Sequence, residues 1–369
     1  VWEPSMMVAQ NPNPDLKWEK TGEFNVGLDW AVLNGRLSGS IDFYNKKTVD
    51  LLYDYNVPVP PNMYNYTTAN AGEMRNTGIE IAINAIPVQT KDFEWNTTLT
   101  MSHNSNKLLS LSNDLYETDN FNEEWPGLGR WDPISVPTHF IEVGHRLGDF
   151  WGLKSVGVSE NGVVLVEVSD GNGGWVVKEF DTKYNEQVNR QNLGSGLPSV
   201  IAGWSNTFRY KGFDLNLQFT GQFGYKILNG QRAFYENNSI AYNRLKSAAD
   251  WHPAVDTDLN PVIDPATGKQ KMVQLSSSMP QGVWSDYIEN GDFVKLTNAT
   301  LGYTVPLGQK LGEYIQNLRM YVSGQNLFCI TGYSGIDPEV SNYFRSPGID
   351  PRDKYPTIRS FTFGLNVTF

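Results

Sequence analysis

The side chains of this sequence that could do chemistry are few, and their spacing fits no common catalytic centre. The four histidines are His103, His139, His145 and His252. His139 and His145 lie six residues apart, a poor spacing for two ligands of one metal ion, so we predict solvated loop residues. The sequence contains no GxSxG, HExxH, Walker A or GxGxxG motif. These observations predict that the protein is not an enzyme.

Two acidic segments resemble the start of a calcium-binding loop, but neither is complete. In DTDLN at 256–260, two aspartates and an asparagine take the positions of the first three ligands. However, Pro261 replaces the required glycine, and Thr267 stands in place of the bidentate glutamate. In DGNGG at 170–174 a third acid is missing, which favours a hairpin turn. We therefore predict no cofactor and no metal; a loop calcium ion has no support from these patterns.

Aromatic residues are the main candidates for ligand contact. The chain contains 11 Trp, 18 Tyr and 18 Phe. Exposed indole rings can stack on sugars or peptides, but they equally fill loop cores or form the aromatic girdle of a membrane protein. Both alternatives stay open for six tryptophans in the predicted loops, where a ligand or a lid could touch them: Trp125, Trp131, Trp151, Trp175, Trp251 and Trp284.

The overall composition excludes several classes of protein. The net charge of −11 argues against nucleic-acid binding, which needs a basic surface. The single cysteine, Cys329, excludes an internal disulfide framework. No run approaches the roughly eighteen apolar residues of a transmembrane helix. The first residues lack the features of a signal peptide, so we expect a fragment whose N-terminal portion lies elsewhere.

The elements that position these residues follow a period of two. In the clearest segment, 213–223, apolar and polar residues alternate. The polar set is predicted to face the lumen of a barrel and consists of Asp214, Asn216, Gln218 and Gln222. A soluble sandwich alternates as well, but strands of about ten residues match a tilted membrane crossing, whereas ordinary strands have about five or six.

We predict about nine such strands, joined alternately by short and long connections. Their expected limits are 16–33, 36–56, 70–86, 92–109, 199–210, 212–228, 292–305, 317–329 and 356–369. Asn34-Gly35 and Lys211-Gly212 are hairpin signals. The two longest connections are expected to be extracellular: 110–198, with small hairpins, and 229–291, with a helix from Asn237 to Trp251. Short turns on one side and long loops on the other are typical of outer-membrane proteins, so the predicted fold is an all-β, transmembrane antiparallel β-barrel.

Short segments in order along almost the whole chain resemble the SusC-like TonB-dependent transporters of Bacteroidota. They are NPDLKWEK at 13–20, NVGLD at 25–29, LSGSIDFY at 37–44, NTGIE at 76–80, YKGFDL at 210–215, TLGYTVP at 300–306, VSGQNLF at 322–328, GIDPE at 335–339 and FTFGLNV at 361–367. The last strand ends at Phe369, which resembles the terminal phenylalanine that the barrel-assembly machinery reads. Residues 1–369 are thereby identified as the C-terminal portion of such a barrel.

The resemblance implies a large plugged barrel in the bacterial outer membrane that imports oligosaccharides or peptides. It also implies that the plug, the segment that contacts the TonB complex and the first barrel strands belong to the missing N-terminal part. A SusD-like surface lipoprotein would lid the barrel. The alternative for the same fold is a scaffold in a surface-assembly or secretion complex. A soluble glycan-active β-protein is the remaining class.

Overall fold

The computed structural model describes residues 10–112, 120–121, 138–236, 243–278, 284–308, 314–340, 347–352 and 354–369. Within these ranges, no helix is long and apolar enough to cross a membrane. A short helix, Gly230–Tyr235, begins after Asn229, whose side chain accepts a hydrogen bond from the Arg232 amide at 3.0 Å. The helix predicted over 237–251 is wrong for its described part, which holds one 3-10 turn at Lys246–Ala249.

Nine long strands form one antiparallel sheet in which the spatial order follows the chain order. They are β1 (Lys20–Val32), β2 (Leu37–Val49), β3 (Glu73–Gln89), β4 (Phe93–Ser110), β5 (Val200–Tyr210), β6 (Phe213–Phe223), β7 (Phe293–Thr304), β8 (Asn317–Thr331) and β9 (Ser360–Thr368). Strands β1 to β8 have 11 to 18 residues each, enough for a tilted membrane crossing. The predicted all-β fold with about nine long strands is confirmed.

Two predicted strands end early because of residues with positive φ. The predicted strand 36–56 is interrupted at Asp50, whose φ is +60°, and resumes as the separate strand Leu52–Asn56. The predicted strand 212–228 stops before Gly224, whose φ is +72°. In both cases the chain leaves the large sheet, because a left-handed φ at this point turns the backbone away from the extended direction.

The hairpin signals lie at turns on the short-turn end of the sheet. β5 and β6 are joined by the predicted two-residue turn Lys211-Gly212. The β1–β2 turn has four residues rather than the two that the sequence signal predicts. The reason is that Leu33, Asn34 and Gly35 all have positive φ, of +54°, +56° and +81°. Asn and Gly adopt this conformation at low cost, which is why they occupy the turn.

The two faces of the sheet differ in chemistry. One face, the apolar face, exposes a large hydrophobic side chain from every strand: Phe24, Ile41, Ile79, Leu99, Trp204, Phe213, Leu301, Met320 and Phe363. Aromatic rings on adjacent strands pack against one another here, as Trp204 and Phe219 do with ring centroids 5.3 Å apart. A water-soluble protein rarely exposes so large an apolar surface, whereas lipid covers it in an outer-membrane barrel.

A β-bulge in β7 exchanges the faces within that strand. The register with β6 shifts between Asn298 and Leu296 and leaves Thr297 as an extra residue. Strict alternation would put Lys295 on the apolar face with Leu301. Because of the bulge, Lys295 lies on the opposite, polar face.

At the other end of the sheet, the long connections pack together into what we call the loop body. Its main core comprises Phe150, Leu153, Val164, Val166, Val168, Phe180, Leu228, Ala233, Trp284, Tyr287, Ile288 and Ile349. Its strands are Ile141–Glu142, Asp149–Gly152, Ser155–Val158, Val164–Ser169, Trp175–Glu179, Gln191–Ser195, Lys226–Asn229, His252–Pro253, Met272–Val273, Ile288–Asn290 and Ile349–Asp350. Further 3-10 turns lie at Thr182–Asn185, Gln187–Asn189 and Ser285–Tyr287. Asn120–Phe121 pairs with Ile141–Glu142 of this body, and outside it Leu52–Asn56 pairs with Tyr66–Asn70.

Candidate functional site

Polar side chains occupy the face of β6 that lies opposite its apolar residues. This face carries the four residues predicted to face the lumen: Asp214, Asn216, Gln218 and Gln222. Asp214 accepts a hydrogen bond from Arg319 Nε at 2.9 Å, and Asn216 Nδ2 donates to Thr207 Oγ1 at 3.2 Å. The Gln218 side chain is exposed. Their effect on what passes through a lumen stays a prediction.

A buried ion cluster joins the polar face of β7 to the loop that follows β8. Lys295 and Asp337 are 3% and 4% exposed, so both charges are almost fully removed from water. Lys295 Nζ donates to Asp337 Oδ1 at 3.2 Å and to Glu339 Oε2 at 2.6 Å. The Thr357 hydroxyl also donates to Asp337. We call this set the Lys295 anchor.

The electrostatics of the Lys295 anchor favour a charged Asp337. Burial alone acts to raise the pKa of this carboxyl. The bonds from the Thr357 hydroxyl and the Glu339 amide, with the positive charge of Lys295, outweigh burial and lower the pKa of Asp337. Sequence reasoning missed this cluster, although GIDPE at 335–339 was noted for its resemblance to the family. The usable signal was a lone lysine within the apolar run of β7.

A second polar cluster holds the helix Gly230–Tyr235 inside the loop body. Arg232 Nε donates to Glu236 at 2.8 Å, and Arg232 Nη1 donates to Glu289 at 2.7 Å. The Ser334 amide and hydroxyl donate to Glu289 at 2.8 and 2.7 Å. Burial would raise the pKa of Glu289, but these donors lower it. The cluster therefore ties the β6–β7 connection to the loop that follows β8.

The prediction that His139 is a solvated loop residue is wrong. Its side chain is 1% exposed and lies 4.4 Å from the Phe150 ring, centroid to centroid. Nε2 donates to the Pro347 carbonyl at 3.0 Å, which leaves Nδ1 to accept from the Thr138 hydroxyl at 2.9 Å. Burial lowers the pKa of His139 to about 4, so the ring is neutral. His145, by contrast, is partly exposed and lies 3.7 Å from Glu142.

The described tryptophans divide between the loop surface and its core. Trp251 and Trp175 are exposed by 62% and 45% and remain candidates for ligand contact. Trp151 is half-buried, with its ring 5.0 Å from that of His145. Trp284 is 3% exposed and stacks on Tyr287, which corrects its candidacy for ligand contact: it fills the loop core. Trp125 and Trp131 lie outside the described residues.

The acidic segments form turns that use their own carboxylates. Asp256 Oδ1 accepts the amides of Asp258 and Asn260, both at 2.9 Å. Asp170 Oδ1 accepts the amides of Asn172 and Gly174 at 2.8 and 2.9 Å, and these bonds lower the pKa of Asp170. Within the part of the chain that the structure describes, no group of three or more His, Cys, Asp and Glu side chains could hold a metal ion.

Known proteins similar to this chain share one family. The family described as TonB dependent receptor-like, beta-barrel matches residues 3–327. A TonB-dependent receptor of Formosa agariphila is 31% identical over 97% of this chain and 35% of its own length. The TonB-dependent receptor SusC of Bacteroides thetaiotaomicron is 31% identical over 97% of this chain and 32% of its own length. This chain thus spans about a third of these relatives.

Solved structures with a similar fold include two structures of the RagAB complex. A structure of the RagAB peptide transporter matches 99% of this chain with a TM-score of 0.76 at 24% identity. The RagAB peptide importer in its closed-closed state matches 99% with a TM-score of 0.74 at 25% identity. In each case this chain covers 37% of the matched chain. The first likeness concerns the fold alone, and it agrees with the nine-stranded sheet described above.

Proposed function

Since the chain belongs to the TonB-dependent receptor family and forms part of its outer-membrane β-barrel, we propose that the whole protein imports a nutrient, an oligosaccharide or a peptide. The observation that carries this proposal is the sheet itself. Its apolar face suits lipid, its polar face suits a lumen, and a folded loop body stands at one end. A scaffold of the same fold would have the same two faces, so nutrient uptake is the property that separates the two functions.

Import would also need a plug, an energy source and an extracellular lid, which other parts of the protein or partner proteins would supply. An N-terminal plug and the first barrel strands would close the lumen, and the TonB complex would supply energy through them. A SusD-like lipoprotein would cover the loop body from outside. Phe369, 80% exposed after β9, would be the residue that the barrel-assembly machinery reads. The similar RagAB structure is that of a peptide importer, which supports a peptide as cargo, and the relative SusC supports a SusD-like partner.

Ligand capture is assigned to the exposed indole rings of the loop body, Trp175 and Trp251. Both are exposed on the loop body, Trp175 at the start of the strand Trp175–Glu179 and Trp251 next to the strand His252–Pro253, and aromatic faces stack on sugar rings and on peptide side chains. Such contacts contribute about 0.5–1.5 kcal/mol each, or about two- to twelvefold in affinity. Neither ring is needed by the loop core, so each can be removed without unfolding it.

The test is growth of a deletion strain on single polymers or peptide mixtures as the sole nutrient source. We expect growth on one source to be lost and to return with the wild-type gene. Complementation with Trp175→Ala and Trp251→Ala should lower uptake about two- to twelvefold each. The matched control is Val188→Ala, which removes an exposed apolar side chain of the same loop body. Unchanged growth of the deletion strain on every source, together with co-purification of the protein with secretion or assembly machinery, would favour the scaffold.

A further inference from the structure

A small sheet inside the loop body has one edge that no other segment of the described residues covers. The strand Val164–Ser169 lies in its centre, between Ser155–Val158 and Trp175–Glu179. Most of the central strand is buried, whereas four of the five residues of Trp175–Glu179 are exposed. We call Trp175–Glu179 the edge strand. Because its residues project to both faces, its exposure extends to both sides of the sheet.

The hydrogen bonds of the hairpin fix which backbone groups point outward. The Asp170 amide donates to the Gly174 carbonyl at 3.0 Å, and the Phe180 amide donates to the Val164 carbonyl at 2.8 Å. In an antiparallel pair, hydrogen-bonded positions alternate with positions that face away. Residues 174, 176, 178 and 180 therefore bond to the central strand. The N–H and C=O groups of residues 175, 177 and 179 point to the uncovered side.

The opposite edge of the same sheet is covered by other parts of the chain. The Val158 carbonyl accepts the Val255 amide at 3.0 Å, and the Leu153 carbonyl accepts the Ser285 amide at 3.0 Å. Nothing in the described ranges pairs with the outer side of the edge strand. A row of outward backbone groups is a template for another extended chain. Among the described residues, one edge is thus closed and the other is uncovered.

We infer that the edge strand binds an extended peptide by β-strand addition, and that this peptide is the imported ligand. This inference rests on the proposed function and narrows its cargo to peptides. Trp175, Val177 and Glu179 project from one face, so they favour a peptide with apolar, apolar and basic residues at alternate positions. Asp170 adds negative charge beside the strand, whereas the charge of Asp181 is paired with Lys183 at 3.1 Å. Lys178 projects to the other face and lies 5.8 Å from the Tyr184 ring centroid. A basic peptide in antiparallel orientation is therefore the best match.

Binding can be measured on the whole transporter complex extracted in detergent, without any need for uptake. The probe is the labelled peptide SSKSVSVSS, followed by fluorescence anisotropy. Val177→Pro removes an outward N–H at an edge position where proline is tolerated, and Val177→Ala keeps that N–H. We expect Val177→Pro to bind at least about fivefold more weakly than Val177→Ala, because one backbone hydrogen bond is lost. Glu179→Gln should weaken binding about two- to fivefold.

Two modified peptides test the same pairing on the wild-type protein, so the result does not depend on how the variants fold. Methylation of the lysine and valine amides blocks the groups that would face the edge strand, and should abolish binding. Methylation of the intervening serine amides leaves those groups free, and should preserve binding. Equal binding of the two peptides, or of the two Val177 variants, would overturn the inference. The inference would also be overturned if Val177→Pro released a surface lipoprotein from the complex while peptide binding persisted. Import that continues without peptide binding would refute the inference and leave the proposed function intact.

Discussion

The Lys295 anchor should control how firmly the loop after β8 is held against the barrel. Lys295→Met keeps most of the side-chain length and removes the charge. Removing one partner of a buried ion pair costs about 3–5 kcal/mol, because the other charge stays buried. Asp337 would keep its bonds from the Thr357 hydroxyl and the Glu339 amide, and Glu339 is itself half-exposed. We therefore expect the lower end, about 3 kcal/mol, or about a hundredfold more frequent opening of the loop.

Hydrogen exchange of the detergent-extracted protein, read by mass spectrometry, measures that opening directly. Protection of residues 333–340 should fall about a hundredfold in Lys295→Met. The double variant Lys295→Met, Asp337→Asn should lose much less protection than the sum of the losses, in free energy, of the two single variants. The control is Lys47→Met, which removes one partner of an exposed ion pair with Glu73 and should change protection less than about fivefold. If Lys295→Met exchanges like Lys47→Met, the reasoning about the buried cluster is refuted.

Two further predictions concern the sheet and the loop body. Gly364→Ala should lower the free energy of unfolding by about 1–3 kcal/mol, because the added Cβ would overlap the Tyr321 ring. Urea titration of the extracted barrel measures this change. The control is Gly22→Ala, whose added Cβ would lie in open space. The pKa of His139 is about 4 in the folded loop and 6.5 in the unfolded loop. As the pH drops, the unfolded loop therefore binds the proton first. The stability of the folded loop should fall between about pH 6.5 and pH 4, by about 3 kcal/mol in total. His139→Gln should flatten that pH dependence in hydrogen exchange corrected for intrinsic rates; an equally steep profile in the variant would contradict it.

The sheet could be predicted from the sequence because each strand obeys one simple rule. Lipid on one side and a polar interior on the other force alternation, so both limits of β5 and the start of β6 were predicted to within one residue. The interruption at Asp50 could not be predicted, because an aspartate can continue a strand or end it. The β1–β2 turn was located from Asn34-Gly35, but its length depended on the φ angle of Leu33 as well.

The loop body could not be predicted, because its contacts join residues far apart in the chain. Trp284 packs edge-on against Phe180 across about a hundred positions, and nothing local to either residue indicates the pairing. His139 bonds to Pro347 across 208 positions. By contrast, the turn at Asp170 was predicted, because all its bonds lie within four residues. Local chemistry is readable from the sequence, whereas long-range burial is not.

The bulge at Thr297 separates two parts of β7, one that follows the local alternation and one that is buried by long-range contacts. On the short-turn side of it, Leu301 follows the lipid-facing rule. On the loop side, Lys295 and Phe293 are buried beneath loop residues instead. An unbroken alternation would have pointed Lys295 toward lipid, where a charge costs about 2–4 kcal/mol at the midplane and less near the surface. The extra residue turns Lys295 inward to Asp337. A local irregularity of one residue therefore allows the ion pair that joins the loop body to the barrel.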